Sequence, residues 1–415
     1  MKLKKNRFKT LYMLPAVFFL TIALTGGVYA AEPYTLGVAL PLTGAGAFYS
    51  RDGIDAIQMA VDEINEQGGF LGKHPVTLSI RDTQTKPDAA VREVENMITR
   101  NKVKCVLGTY SSACAIAIKP ILRKNKILHI AAISNSEQIT AADFNPYTFS
   151  VVPNSYMQAN AVALGVARMA AEKKWKTYVT IASDYEWGRS TQSNFIALLK
   201  KAAPDLKLVK ELWPRLGESQ FSPYISEIVG LKPDFVYGSL ASRDNMMWMN
   251  TAATFGFFKR FPYPGSLISV SELISQAETV PRNVIGLCRA PFFAHMDVAV
   301  MKDFVEKFRK NNNRYPSDWA VMEYDAVYIL KQGIEKAGTI DTDAVQKALT
   351  GMTIDTARGR LYFRKIDNQL SCSSYLGEVA DDPAYPFPIY KNLLEITGTD
   401  SWRSEDEIKK MREDQ

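Results

Sequence analysis

The sequence predicts an α/β fold: two doubly wound parallel-sheet lobes. Three observations carry that reading. Between Tyr34 and Ala131, short apolar runs alternate with helical patterns of the length that links parallel strands. Around residues 147–153 the same alternation restarts and continues to Cys288, an architectural repeat without sequence repetition. At 415 residues the chain is long enough for two or three lobes.

The elements follow in order. Tyr34–Leu40 reads as a buried strand, and Pro41 to Gly46 as a turn. Ile54, Ile57, Val61 and Ile64 recur at helical spacing until Gly68-Gly69 stops the helix. Val76, Leu78 and Ile80 alternate as a strand; Thr85 is placed to cap the next helix, with Pro87 in its first turn. Residues 103–107 and 127–131 are two further strands around a helix that opens at Thr109-Tyr110-Ser111-Ser112. The second unit brings helix 159–173, strand 178–182 and the turn Ser183 to Gly188, then strands near 206–212, 234–237, 267–270 and 284–288. After Cys288 the pattern turns helical, over 298–310, 319–336 and from Asp341, with a short strand at 359–363. The charged segment 399–415 reads as a frayed tail or an exposed helix.

Charge excludes one function class. The formal net charge is +6, but Lys2, Lys4, Lys5, Arg7 and Lys9 supply five of it before the first acid, Glu32. Without residues 1–30 the balance is +1, so nothing favours nucleic acid. Those residues read as a signal peptide: a basic start, the apolar run 11–23, and Val28-Tyr29-Ala30 as a cleavage site with Ala31 the mature start. The apolar run is short for a span of about 20 residues. The mature protein is expected to be soluble and exported.

Catalysis and metals find little support. Ser111 and Ser112 have no neighbouring histidine, there is no Gly-x-Ser-x-Gly elbow, and Gly44-Ala45-Gly46 is not a dinucleotide fingerprint. His74, His129 and His295 are widely spaced, so no metal or other cofactor is expected. Cys105, Cys114, Cys288 and Cys372 are either buried thiols or one or two disulfides, with the pairing open. The turn at Tyr110-Ser111-Ser112 combines hydroxyls with free helix N–H groups at the edge of a parallel sheet. That suits a small carboxylate.

A set of short motifs in order resembles a known family. They are Leu40-Pro41-Leu42-Thr43-Gly44, Ala60-Val61-Asp62-Glu63-Ile64-Asn65 with Gly68-Gly69, Val106-Leu107-Gly108 with Ser111-Ser112, Asp184-Tyr185-Glu186-Trp187-Gly188, Phe221-Ser222, Pro233-Asp234-Phe235-Val236 and Tyr324-Asp325-Ala326. Together they resemble the type I periplasmic binding proteins of ABC importers, in the leucine/isoleucine/valine-binding branch.

The resemblance implies two lobes joined by three crossover strands, near 147–153, 284–291 and 359–364. Lobe one would be 31–150 plus 289–361, and lobe two 151–288 plus 362–398, with 399–415 as the tail. It implies that Ser112 and Ala113 hold a ligand carboxylate and that Ser134 and Asn135 contribute the next loop. Trp187 and Ala241 stand where the family often has tyrosines, and Tyr49 matches an aromatic at the entrance. One departure stands out. Leu267 occupies the position of the acid that pairs with a ligand ammonium, and Asp184, Asp244 and Glu272 are the substitutes at hand. The implied partners are a small-molecule carboxylate and separate permease and ATPase chains, with the protein itself monomeric. The alternative is a ligand-sensing domain of a receptor or regulator.

Overall fold

The computed structural model describes residues 31–282 and 284–414. The expected cleavage site after Ala30 lies outside them. The first unit runs β1 (Tyr34–Leu40), α1 (Ala47–Glu66), β2 (Val76–Asp82), α2 (Pro87–Asn101), β3 (Cys105–Gly108), α3 (Ser112–Asn125), β4 (Leu128–Ala131) and β5 (Thr148–Ser150). The second runs α4 (Ser155–Lys173), β6 (Thr177–Ala182), α5 (Glu186–Ala202), β7 (Lys207–Leu212), α6 (Ser222–Leu231), β8 (Phe235–Ser239), α7 (Ser242–Thr254), α8 (Phe257–Arg260), β9 (Ser266–Leu267), α9 (Val270–Ser275) and β10 (Ile285–Cys288). There follow α10 (Ala299–Asn312), α11 (Asp318–Ala337), α12 (Thr342–Leu349), β11 (Thr353–Thr356), β12 (Gly359–Arg364) and β13 (Gln369–Leu370). The chain closes with β14 (Ser374–Ala380), β15 (Ile389–Ile396), α13 (Gly398–Ser401) and α14 (Glu405–Glu413).

Strands β1 to β5 pair in parallel in a sheet ordered β11-β12-β13-β5-β4-β3-β1-β2. β1, β3, β4 and β5 are buried almost throughout, as parallel strands covered by helices must be, while β2 at the sheet edge is partly exposed. The second lobe holds β7-β6-β8, all parallel, and β15-β14-β10-β9, which turns antiparallel at β14 and β15. The chain passes between lobes after β5, after β10 and after β13. The crossings are tied together: Ser150 donates its N–H to Asn368 O, and the Gln369 amide reaches Val152 O at 2.9 Å.

Four details differ from the sequence reading. Residues 359–364 do not cross between lobes, and 362–370 belong to the first sheet, because β13 pairs with β5 at Gln369 and Ser150. The strand expected over 267–270 stops at Leu267. Ser269 then caps α9 through a capping box with Glu272, a Ser-x-x-Glu signal that ends the strand early. Thr85 caps nothing; Lys86 holds the N-cap of α2, and the Thr85 hydroxyl accepts the Gly46 N–H at 3.0 Å. The charged tail docks: Ile408 is fully buried, Arg403 pairs with Glu137 at 2.9 Å, and Arg412 donates to Ala141 O at 2.8 Å. The four cysteines are buried free thiols. Among the described residues no helix is long and apolar enough to cross a membrane.

Candidate functional site

The carboxyl ends of β1, β3 and β4 and the loops of the second lobe face each other across a cleft. It encloses only ≈ 20 Å³ of free space between Tyr49, Tyr110, Ser112, Ile133, Asn135, Tyr185, Trp187, Ala241, Leu267, Glu272, Arg289 and Trp319. Small-molecule sites usually hold about 300–1,000 Å³, so the lobes must part to admit a ligand. The lobes lie closed over it. Tyr49 Oη donates to Glu272 Oε1 at 2.6 Å, Ser136 Oγ to Glu186 Oε1 at 2.7 Å, and Val270 N–H to Asp318 Oδ1 at 3.2 Å, each pair spanning the two lobes.

The first-lobe wall starts at Gly108, which leaves β3 with φ +110°; a Cβ there would stand 2.5 Å from Ala39 O, so only glycine fits. The chain then turns into α3, with Ser111 at the N-cap and Ser112 as the first helical residue. Ser112 Oγ accepts the N–H groups of Asn135 and Ser136 at 3.2 and 3.1 Å. Its lone pairs are thus committed to the neighbouring loop, which leaves its own O–H to donate. Beside it lie the first N–H groups of α3, which have no partner inside the helix. Asn135 is fixed in turn by its side-chain amide on Pro153 O at 2.6 Å. Tyr49 and Tyr110 stack at 5.8 Å, with Trp319 edge-on to Tyr49 at 5.4 Å.

Apart from Glu272 the second-lobe wall is mostly apolar. Trp187, Ala241 and Leu267 form a small buried cluster flanked by Tyr185 and Leu216. Trp187 sits in the first turn of α5. Gly188 makes that turn possible, since a Cβ there would fall 2.0 Å from Ser183 O.

Of the ten residues singled out from sequence, Tyr49, Tyr110, Ser112, Asn135, Trp187, Ala241 and Leu267 line the cleft. Ser111, Ala113 and Ser134 do not. Ser111 holds the N-cap position of α3 without a side-chain cap bond, and its carbonyl accepts the Thr109 hydroxyl at 2.7 Å. Ser134 donates its N–H to Thr109 O, holding the two loops together. Ile133, Tyr185, Arg289 and Trp319 are additional members; Arg289 and Trp319 were legible only as a lone arginine after an apolar strand and a tryptophan opening a helix.

Of the three acids weighed as counter-charges, only Glu272 reaches the cleft. Asp184 pairs with Arg189 at 2.5 Å on the surface, and Asp244 accepts the Gly217 N–H at 3.0 Å. Glu272 already receives the Tyr49 hydroxyl and the Ser269 N–H, at 2.6 and 2.9 Å, and also bonds to the Ser269 hydroxyl. Burial pushes its carboxyl up to about 8 against the pull of the Tyr49 hydrogen bond, which favours its neutral form.

Comparison with known proteins fits this geometry. The family model for periplasmic binding proteins matches residues 33–384. The chain belongs to that family. A relative is the Leu/Ile/Val-binding protein BraC3 of Rhizobium johnstonii, 26% identical over 399 residues, spanning 92% of this chain and 97% of that one. A periplasmic binding protein of Burkholderia mallei superposes with a TM-score of 0.82 at 21% identity, over 91% of this chain and 98% of its own. An ABC-transporter solute-binding protein of Rhodopseudomonas palustris, solved with 3,4-dihydroxybenzoic acid, superposes at 0.77 with 20% identity, over 88% and 98%. It is a periplasmic binding protein of the type I fold, in the branched-chain amino acid-binding family.

Proposed function

We propose that this periplasmic binding protein is the exported substrate-binding protein of an ABC importer and that it captures a small carboxylate. It hands that acid to permease and ATPase subunits that are separate chains. Ser112 carries the reading: a buried hydroxyl, free to donate, at the N-terminus of α3, facing apolar walls. A carboxylate gains a hydroxyl, backbone N–H groups and the positive end of a helix dipole. The ring-rich walls favour an aromatic or branched aliphatic body. The relatives' names point to branched-chain amino acids and the Rhodopseudomonas complex to an aromatic acid. Leu267 and a neutral Glu272 favour the acid without an ammonium group, because a buried cation needs an ionised partner. The alternative of a sensing domain is not favoured by these comparisons.

A thermal-shift screen of benzoates, phenylpropanoates, branched aliphatic acids and the standard amino acids tests the proposal. At a hundredfold excess over Kd a true ligand stabilises by about 2.7 kcal/mol. At least one carboxylate should raise the melting temperature by several degrees and shrink the radius of gyration in small-angle scattering, as lobe closure requires. A screen in which no carboxylate does either would refute it.

A further inference from the structure

Arg289 follows β10 at the second crossing between the lobes and is only 3% exposed. Its surroundings are unusual for a buried charge. Among the described residues no carboxylate lies within ion-pair distance of it. Its terminal nitrogens meet only Ile133 O and Asn135 Oδ1, both at a long 3.3 Å, and its Nε has no hydrogen-bond partner. Its guanidinium sits between two indoles, 5.5 Å from the Trp187 ring of one lobe and 5.1 Å from the Trp319 ring of the other. Those rings add two more buried donors without partners, Trp187 Nε1 and Trp319 Nε1. Three buried N–H donors without partners, one of them charged, thus belong to residues that line the cleft. Buried polar groups are almost always paired, so such a set calls for an acceptor of negative charge.

Position makes that acceptor the same group that Ser112 receives. Asn135 touches both sides: its N–H bonds to Ser112 Oγ at 3.2 Å, and its side-chain oxygen meets Arg289 at 3.3 Å. Asp318 acts on Arg289 through space alone, its oxygens being occupied by the Val270 N–H and the Cys288 thiol. We propose that Arg289 is the ligand's counter-charge and sets its class: an anionic carboxylate without an ammonium, clamped between Arg289 and Ser112. This rests on the carboxylate reading of the cleft and deepens it. Because one indole comes from each lobe, the cation is fully assembled only when the lobes close, which links recognition of charge to closure.

The test is calorimetry with two acid–amide pairs, benzoate with benzamide and 3-phenylpropanoate with 3-phenylpropanamide, on wild type, Arg289→Met and Arg289→Lys. Wild type should prefer an acid to its amide by at least about tenfold, the scale of one charge-assisted hydrogen bond. In Arg289→Met the acid should lose about 10- to 100-fold while its amide changes little, and Arg289→Lys should recover part of the loss. The ligand-free Arg289→Met protein should melt within a few degrees of wild type, because the buried charge removed makes only two long hydrogen bonds, while Asp318 loses a through-space partner. Acid and amide weakening together, or a lower melting temperature with the acid-to-amide ratio unchanged, would make Arg289 a packing residue and overturn the assignment. If neither pair binds wild type at all, the aromatic-carboxylate reading of the cleft itself fails, and this assignment falls with it.

Discussion

Replacing Arg358 with alanine should destabilise the fold by about 3–5 kcal/mol, the range for a buried ion pair stripped of one partner. Arg358 Nε donates to Asp325 Oδ2 at 2.7 Å, with side chains only 3% and 1% exposed. The same guanidinium reaches Val151 O at 2.9 Å, in the first crossing between lobes, and Asp325 Oδ1 accepts the Ala357 N–H at 2.7 Å. One arginine thus joins α11, the turn between β11 and β12, and a hinge segment. Burial pushes the Asp325 carboxyl up and Arg358 opposes that, so removing Arg358 leaves the acid without its compensation. Urea unfolding monitored by circular dichroism measures the loss. The paired replacement Arg358→Met with Asp325→Leu should recover much of it. A single-variant loss below about 1 kcal/mol would show that solvent reaches the pair, whose value would then be that of a surface bridge.

Replacing Ser112 with alanine should weaken carboxylate binding by about 1–3 kcal/mol, the cost of losing a hydrogen bond to a charged group. A second effect comes from the loop. Ser112 Oγ also accepts the Asn135 and Ser136 N–H groups, so the variant leaves two buried donors unpaired and lowers the melting temperature of the ligand-free protein. Ser112→Thr keeps the hydroxyl and should retain most of both. Calorimetry and melting curves separate the two consequences. Unchanged affinity in Ser112→Ala would place the ligand's acid group elsewhere in the cleft.

The parts legible in the sequence are those whose pattern is local. Parallel strands buried on both faces appear as apolar runs, so β1, β3, β4 and β6 stand out, and the strand–turn–helix at Gly108 to Ser112 is legible from its glycine and hydroxyls. Tyr324-Asp325-Ala326 was visible as a motif, but its reason, a pairing with Arg358 across 33 residues, was not. Arg289 was hidden for the same reason: a lone arginine between Cys288 and Ala290 gains meaning only from Trp187 and Trp319, which are remote in sequence. Of the side chains at Ser111, Ser112 and Ala113 only Ser112 lines the cleft, because neighbouring residues at a helix start point in different directions; the role expected of Ala113 is that of its backbone N–H. The tail was misjudged on composition. Its charges are spent on specific partners, Glu137, Ala141 O and Ile366 O, while Ile408 supplies the apolar anchor.

The central claim concerns charge: the cleft takes a carboxylate and has no ionised acid ready for an ammonium. Calorimetry on matched pairs tests it most directly, with 3-phenylpropanoate against phenylalanine and 4-methylpentanoate against leucine, at pH 7. The account predicts that the deaminated acid of a pair binds at least about tenfold tighter, or 1.4 kcal/mol. An amino acid that binds more than about tenfold tighter than its deaminated analogue would contradict it and make Glu272, ionised by the bound ammonium, the counter-charge.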